Sequence, residues 1–98
     1  MNFNEKVWQL LKKIPKGKVT TYKIIAQKLN SKAYRAVGNA CNENPYAPKA
    51  ACHRVVNSNG NISGFKNGIK KKIQMLAKEG IKIKKNKIHN FEKVFYRF

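Results

Sequence analysis

Proline, glycine and asparagine cut this 98-residue chain into short pieces. The breaks fall at Pro15-Lys16-Gly17, Asn30-Ser31-Lys32, Asn44-Pro45-Tyr46-Ala47-Pro48, Asn57-Ser58-Asn59-Gly60, Lys66-Asn67-Gly68 and Gly80. Each favours a turn, because glycine and asparagine tolerate left-handed backbone and proline removes an N–H donor. The core must therefore be assembled from short elements. At this length residues 1–98 are expected to form one domain, near the lower range in which a core holds without staples, so that a large partner docks on a surface.

The segments between the breaks have helical spacing. Phe3, Val7, Leu10, Leu11 and Ile14 predict an amphipathic helix over 3–14, with Trp8 packing at its edge. Thr21 offers an N-cap for a helix over 22–29, and a second helix is expected over 33–42 beyond the Asn30 turn. Two short helices joined by a tight turn form a helix-turn-helix pattern. In the second, Ala33, Val37, Ala40 and Cys41 share one stripe, while Arg35, Gly38, Asn39 and Asn42 share the opposite one. That outer face suits close approach to a nucleic-acid groove, and it equally suits an ordinary solvated surface.

Further on, the turn at 57–60 and the segment Asn61 to Phe65 read as a hairpin and a wing. A helix over 69–79 is expected to bury Ile69, Ile73, Leu76 and Ala77, to expose Lys70, Lys71, Lys72 and Lys78, and to be capped by Gly80. Glu79 sits in its last turn, against the helix dipole, which suggests a partner such as a histidine. The tail reads as a small hairpin around Ile83 and Ile88, then an aromatic segment that packs back. The fold class is mainly α with a small β wing.

Chemistry points to Ala51-Cys52-His53-Arg54-Val55-Val56. A thiolate beside a histidine is a nucleophile beside its base, although a lone Cys-His pair is more often inert core. If 52–56 is a strand, Cys52 and His53 point to opposite faces and a water must bridge them. A break in the strand at Cys52, after the two prolines, is the other solution.

The 22 basic residues against four acidic ones, Glu5, Glu43, Glu79 and Glu92, set a net charge of +18. Codon bias explains part of the lysine excess, but the scarcity of glutamate favours a polyanionic partner, which lysine binds with affinity and salt sensitivity rather than sequence preference. There is no phosphate-cradling glycine loop, so nucleotide triphosphate chemistry is not expected. No apolar run spans a bilayer and no signal peptide opens the chain, which predicts a cytoplasmic protein with reduced thiols and no membrane partner. Cys41, Cys52, His53 and His89 match no common metal-ligand spacing, so neither a metal nor another cofactor is expected.

Val19-Thr20-Thr21-Tyr22, Arg35-Ala36-Val37-Gly38-Asn39-Ala40, Asn44-Pro45, Cys52-His53-Arg54-Val55-Val56, Gly60 and Leu76-Ala77-Lys78-Glu79-Gly80 together resemble the catalytic domain of O6-alkylguanine-DNA alkyltransferases, in order and spacing. The resemblance covers most of residues 3–80. It implies a winged-helix-like DNA-binding domain whose helix-turn-helix enters the minor groove and flips the damaged nucleotide. It implies that Cys52 takes the alkyl group from O6 of guanine as a thioether, once per protein molecule. His53 would act on Cys52 through a water, Glu79 would orient His53, and Asn44 would hold the active-site turn. Tyr22 would assist flipping and donate a proton to the leaving guanine. Arg35 would replace the extruded base, with Thr21, Tyr22, Ala36, Gly38 and Asn39 beside it on DNA. Val55, Ser63, Gly64 and Phe65 would line the base pocket.

The partner so implied is double-stranded DNA containing alkylated guanine, met by a monomer near the nucleoid of a prokaryotic cell. The N-terminal domain of many relatives is absent from this chain, and some single-domain members are fused to a repair endonuclease, which makes such an enzyme a candidate partner. Relatives usually carry proline before the nucleophile, and here Ala51 stands in that place. The alternative is an alkyltransferase-like protein that recognises damage without accepting the alkyl group, in which another residue replaces the cysteine. Cys52 argues against it. A plain winged-helix regulator would need neither the Cys-His-Arg-Val run nor Glu79.

Overall fold

The computed structural model describes residues 1–62 and 68–98. Among the described residues, five α-helices and four two-residue strands follow the breaks in the sequence: α1 (Phe3–Leu11), β1 (Thr20–Thr21), α2 (Tyr22–Lys28), α3 (Tyr34–Asn42), β2 (Val55–Val56), α4 (Ile69–Lys78), β3 (Ile83–Lys84), β4 (Lys87–Ile88) and α5 (Phe91–Val94). The architecture is the mainly helical, helix-turn-helix type expected.

A capping box starts α1: Asn2 Oδ1 accepts the Glu5 N–H at 2.8 Å, and Glu5 Oε1 accepts the Asn2 N–H at 3.4 Å. Val7, Leu10 and Leu11 are its buried face. The regular helix stops at Leu11 rather than Ile14, because Lys13 and Ile14 turn back on carbonyls three residues earlier as the chain approaches Pro15. Ile14 is buried all the same. The Trp8 indole N–H donates to the Ala40 carbonyl at 2.8 Å, tying α1 to α3.

Thr21 Oγ1 caps α2 by accepting the Ile24 N–H at 3.1 Å. Asn30, with φ of 55°, reverses the chain, and Ser31 Oγ accepts the Ala33 N–H before α3 begins. α3 packs on both α1 and α2 through Val37, Ala40 and Cys41. Ala33, expected in that stripe, is exposed at the N-cap position, outside the helix proper. These residues, with Ile25, Ala26, Ala50, Cys52 and Val55, form one core cluster.

The second cluster is Val19, Val56, Ile62, Leu76, Ile81 and Ile88. It is organised by a pairing that the sequence did not reveal: β1 and β2 run parallel, Thr20 beside Val55 and Thr21 beside Val56. The turn after β2 forms as expected, with Gly60 at φ of 85°. Asn61 then bridges to Lys87 instead of extending a hairpin with β2. The expected wing residues 63–67 lie outside the described residues.

α4 is rolled relative to expectation. Lys72 and Leu76 are fully buried, while Ala77 is exposed and Ile69 is 39% exposed. The buried residues are Lys72 and Leu76, with Ile73 half-buried against the second core as expected, and Glu79, at the C-cap, is drawn to Arg54 and His53. Gly80 closes the helix at φ of 88°, with Ile81 N–H donating to the Leu76 carbonyl at 3.1 Å. The tail forms the expected hairpin, β3 antiparallel to β4.

Candidate active site and nucleic-acid face

The backbone breaks at Cys52. Residues Cys52–Arg54 form a single 3-10 turn, and the strand begins only at Val55. An unbroken strand from Cys52 is thereby ruled out in favour of the bend that the two prolines foreshadowed. Asn44 holds the approach: its Nδ2 donates to the Ala50 carbonyl at 2.6 Å, and its Oδ1 accepts the Tyr46 N–H at 2.9 Å. The Ala51 N–H donates to the Leu11 carbonyl at 3.3 Å, a bond that proline could not make.

Cys52 is 8% exposed and His53 2%. His53 Nε2 lies 3.0 Å from Glu79 Oε2. Donating its Nε2 proton to that carboxylate leaves the lone pair on Nδ1 for a thiol or a water. Burial lowers the His53 pKa below its ordinary 6.5, against the opposing pull of Glu79, so the ring is neutral at pH 7. Burial acts upward on Glu79, but hydrogen bonds from Arg54 and His53 outweigh it and hold the carboxyl below its ordinary value.

Arg54 was not singled out in the sequence, and it is central here. Its Nε donates to Glu79 Oε1 at 2.9 Å, its Nη2 to Glu79 Oε2 at 2.6 Å, and its Nη1 to the Ile14 carbonyl at 2.7 Å. The signal available was Glu79 itself, a carboxylate against its helix dipole and short of one partner.

Lys72 was assigned to solvent, yet it is fully buried, with Nζ 5.9 Å from the centre of the Tyr22 ring. Burial lowers its pKa to about 8, against the pull of the thiols of Cys41 and Cys52. Burial, then the same two thiols, raises Tyr22 above the ordinary phenol range, so that it keeps its proton. Burial pushes Cys41, a core residue as expected, up to about 12.

Tyr22 joins this buried group to an open face. It packs against the cluster that contains Cys52, and it also lines a cavity of about 420 Å³ with Lys23, Tyr34, Arg35, Gly38, Asn39, Asn42, Asn57 and Ser58. Arg35, Gly38 and Asn39 thus share the outer face of α3 as expected, with Ala36 half-buried behind them. Thr21 is buried, its hydroxyl committed to the α2 cap. Of the pocket residues expected, Val55 is wholly inside the core, and Ser63, Gly64 and Phe65 lie outside the described residues. Among the described residues no group of three His, Cys, Asp or Glu side chains could hold a metal ion, and no helix is long and apolar enough to cross a membrane.

The family profile for the DNA binding domain of 6-O-methylguanine DNA methyltransferase matches residues 2–81. The chain belongs to this family. It is 46% identical over 79 residues to a methylated-DNA–protein-cysteine methyltransferase of Methanosarcina acetivorans, covering 80% of this chain and 51% of that protein. Mycobacterium tuberculosis OGT, solved in complex with DNA, superposes at a TM-score of 0.77 and 38% identity, over 81% of this chain and 50% of that one. Schizosaccharomyces pombe Atl1, in complex with damaged DNA containing O6-carboxymethylguanine, superposes at 0.84 and 28% identity, over 98% of this chain and 95% of that one. The chain thus spans about half the length of the Methanosarcina relative. The matched span, residues 2–81, contains both the Cys52 turn and the helix-turn-helix face.

Proposed function

We propose that this protein repairs O6-alkylated guanine in DNA by moving the alkyl group irreversibly to Cys52. The observation that carries the reading is the break at Cys52–Arg54, which places a cysteine beside a neutral histidine whose far nitrogen is engaged by Glu79. His53 accepts the thiol proton through a water, and the Cys52 thiolate attacks the alkyl carbon. The carbon–O6 bond breaks, its electron pair passes to the guanine, and Tyr22, protonated in the resting site, donates the proton that neutralises the leaving base; its phenolate then regains a proton from solvent, to which His53 returns the proton of the thiol. The product is a thioether, which leaves Cys52 without its nucleophilic thiol, so each molecule turns over once.

The target base must leave the duplex to reach a buried thiol. Arg35, exposed on α3, fills the gap in the stack, and the small face of Gly38 and Asn39 lets α3 lie close to the groove. The DNA complex of the Mycobacterium relative and the net charge of +18 support this placement. Residues 1–98 act as one domain and as a monomer on duplex DNA.

Atl1 matches almost the whole length of the chain, which makes damage recognition without transfer the second reading. Cys52 favours transfer. Intact mass after incubation with a duplex carrying one O6-methylguanine decides between them. A stoichiometric gain of one methyl group, absent in Cys52→Ala, is expected; lesion binding without mass gain would leave only recognition.

A further inference from the structure

The family match ends at residue 81, yet residues 82–98 are built into the fold. Ile88 is buried, its N–H donates to the Gly60 carbonyl at 3.0 Å, and the Asn86 carbonyl accepts the Ile62 N–H at 2.8 Å. Beyond α5 the chain runs parallel to residue 19: the Val94 carbonyl accepts the Val19 N–H at 2.8 Å, and the Tyr96 N–H donates to the Val19 carbonyl at 2.7 Å. Val19 precedes β1 directly, so this single parallel bridge between Val19 and Phe95 brings Arg97 and Phe98 out beside α2.

Two hollows result. One, of about 320 Å³, lies between Lys23, Gln27 and Ser58 on one side and Phe91, Phe95 and Arg97 on the other. The second, of about 260 Å³, continues it past Lys28, Arg97 and Phe98. Among the described residues no Asp or Glu side chain lines either hollow. The Arg97 guanidinium lies 5.0 Å from the centre of the Phe95 ring, within cation–π reach, and Arg97 is exposed. Lys23 and Ser58 also line the cavity that holds Arg35 and Asn39, so the hollows and the helix-turn-helix face are one continuous surface.

From this continuity we infer that Phe91, Phe95, Arg97 and Phe98, with Lys23 and Lys28 of α2, form a shelf for the sugar-phosphate backbone of the same duplex, flanking the extruded nucleotide. The first helix of a helix-turn-helix crosses the backbone, and here the C-terminal segment sets an arginine alongside that helix. A guanidinium held on an aromatic ring meets two phosphate oxygens without first losing its freedom. The shelf lengthens the footprint beyond the domain that the family profile covers. The inference rests on the DNA-binding part of the proposed function and not on alkyl transfer.

The test is the salt dependence of binding to an unmodified duplex and to one carrying O6-methylguanine, measured by fluorescence anisotropy on the full chain. Lys82→Ala removes one positive charge away from both hollows and serves as the control. Arg97→Ala is expected to weaken both duplexes alike, about 3- to 10-fold at low salt, and to reduce the slope of log K against log salt by about 0.9, while Lys82→Ala leaves the slope unchanged. Lys28→Ala should act in the same sense and serves if Arg97→Ala lowers the thermal midpoint. Equal slopes for the Arg97, Lys28 and Lys82 variants would overturn the shelf alone. Absence of DNA binding by the unaltered protein would overturn the proposed function with it.

Discussion

Arg54 grips the Glu79 carboxylate at two points, Nε to Oε1 at 2.9 Å and Nη2 to Oε2 at 2.6 Å, while His53 reaches Oε2 from the other side at 3.0 Å. The carboxylate that orients the histidine is thus itself held in plane, and Arg54 is held in turn by the Ile14 carbonyl. Removing the guanidinium leaves a mostly buried carboxylate with one partner. Arg54→Ala is therefore expected to cost about 2 kcal/mol in urea denaturation and to slow methyl transfer, with the transfer loss exceeding that of a core variant of equal stability. Equal loss in both would reduce Arg54 to a structural brace.

The pH dependence follows from the same groups. His53 and Glu79 both have folded-state pKa values below their ordinary ones, so the unfolded chain binds more protons and stability falls as pH drops, first through 6.5 for His53 and then through the carboxylate range for Glu79. In the proposed function, transfer also requires a neutral His53. Single-turnover rates should be level above neutrality and fall only below about pH 6.5, at lower pH than an ordinary histidine would give. An acid limb centred above pH 7 would contradict a desolvated His53.

Lys72 has the opposite effect to a surface lysine. Its folded pKa of about 8 lies below the ordinary 10.5, so below pH 8 its buried charge destabilises the fold, and that penalty is relieved as pH rises through the interval between the two values. Cys41 and Tyr22, whose pKa values are raised, lower stability above about pH 9 and mask the effect in the unaltered protein. The difference between the unaltered protein and Lys72→Met isolates it. The variant should be the more stable below pH 8, with the gap narrowing towards pH 10.5. A constant gap would show that Lys72 keeps its ordinary pKa.

Ala51 stands where relatives usually carry proline, and its backbone φ of −84° is close to what proline adopts. Ala51→Pro removes the hydrogen bond to the Leu11 carbonyl but restricts the unfolded chain, and the two effects are each about 1 kcal/mol or less. The expected change in urea midpoint is small, with transfer retained. Loss of transfer would mean that the N–H of Ala51 positions the Cys52 turn.

Arg35→Ala should slow transfer from duplex DNA more than transfer from free O6-methylguanine, because the free base needs no extrusion. Equal losses on the two substrates would contradict a role in filling the vacated stack.

The fold was legible where a single residue decides the local backbone. Thr21, Asn30 and Gly80 mark the ends of helices by caps and turns, and the α3 stripe follows from helical period alone. The Cys52 turn was half legible: the prolines announced irregular backbone, but only the structure showed that it continues through Arg54. The parallel pairing of β1 with β2 was hidden, since two-residue strands carry no readable alternation and their partners are far apart in the chain. The burial of Lys72 was hidden for a related reason. Periodicity assigns a helix face by counting apolar residues, and in α4 the roll is set by Leu76 in a distant core and by the pull of Arg54 on Glu79. By itself, then, the amino-acid sequence determined the first four helices and most of their ends, and it singled out Cys52, because caps, turns and thiol chemistry act within a few residues. Only the tertiary structure decided which side chains surround Cys52, because burial and ion pairing are settled between segments that meet in space and not along the chain.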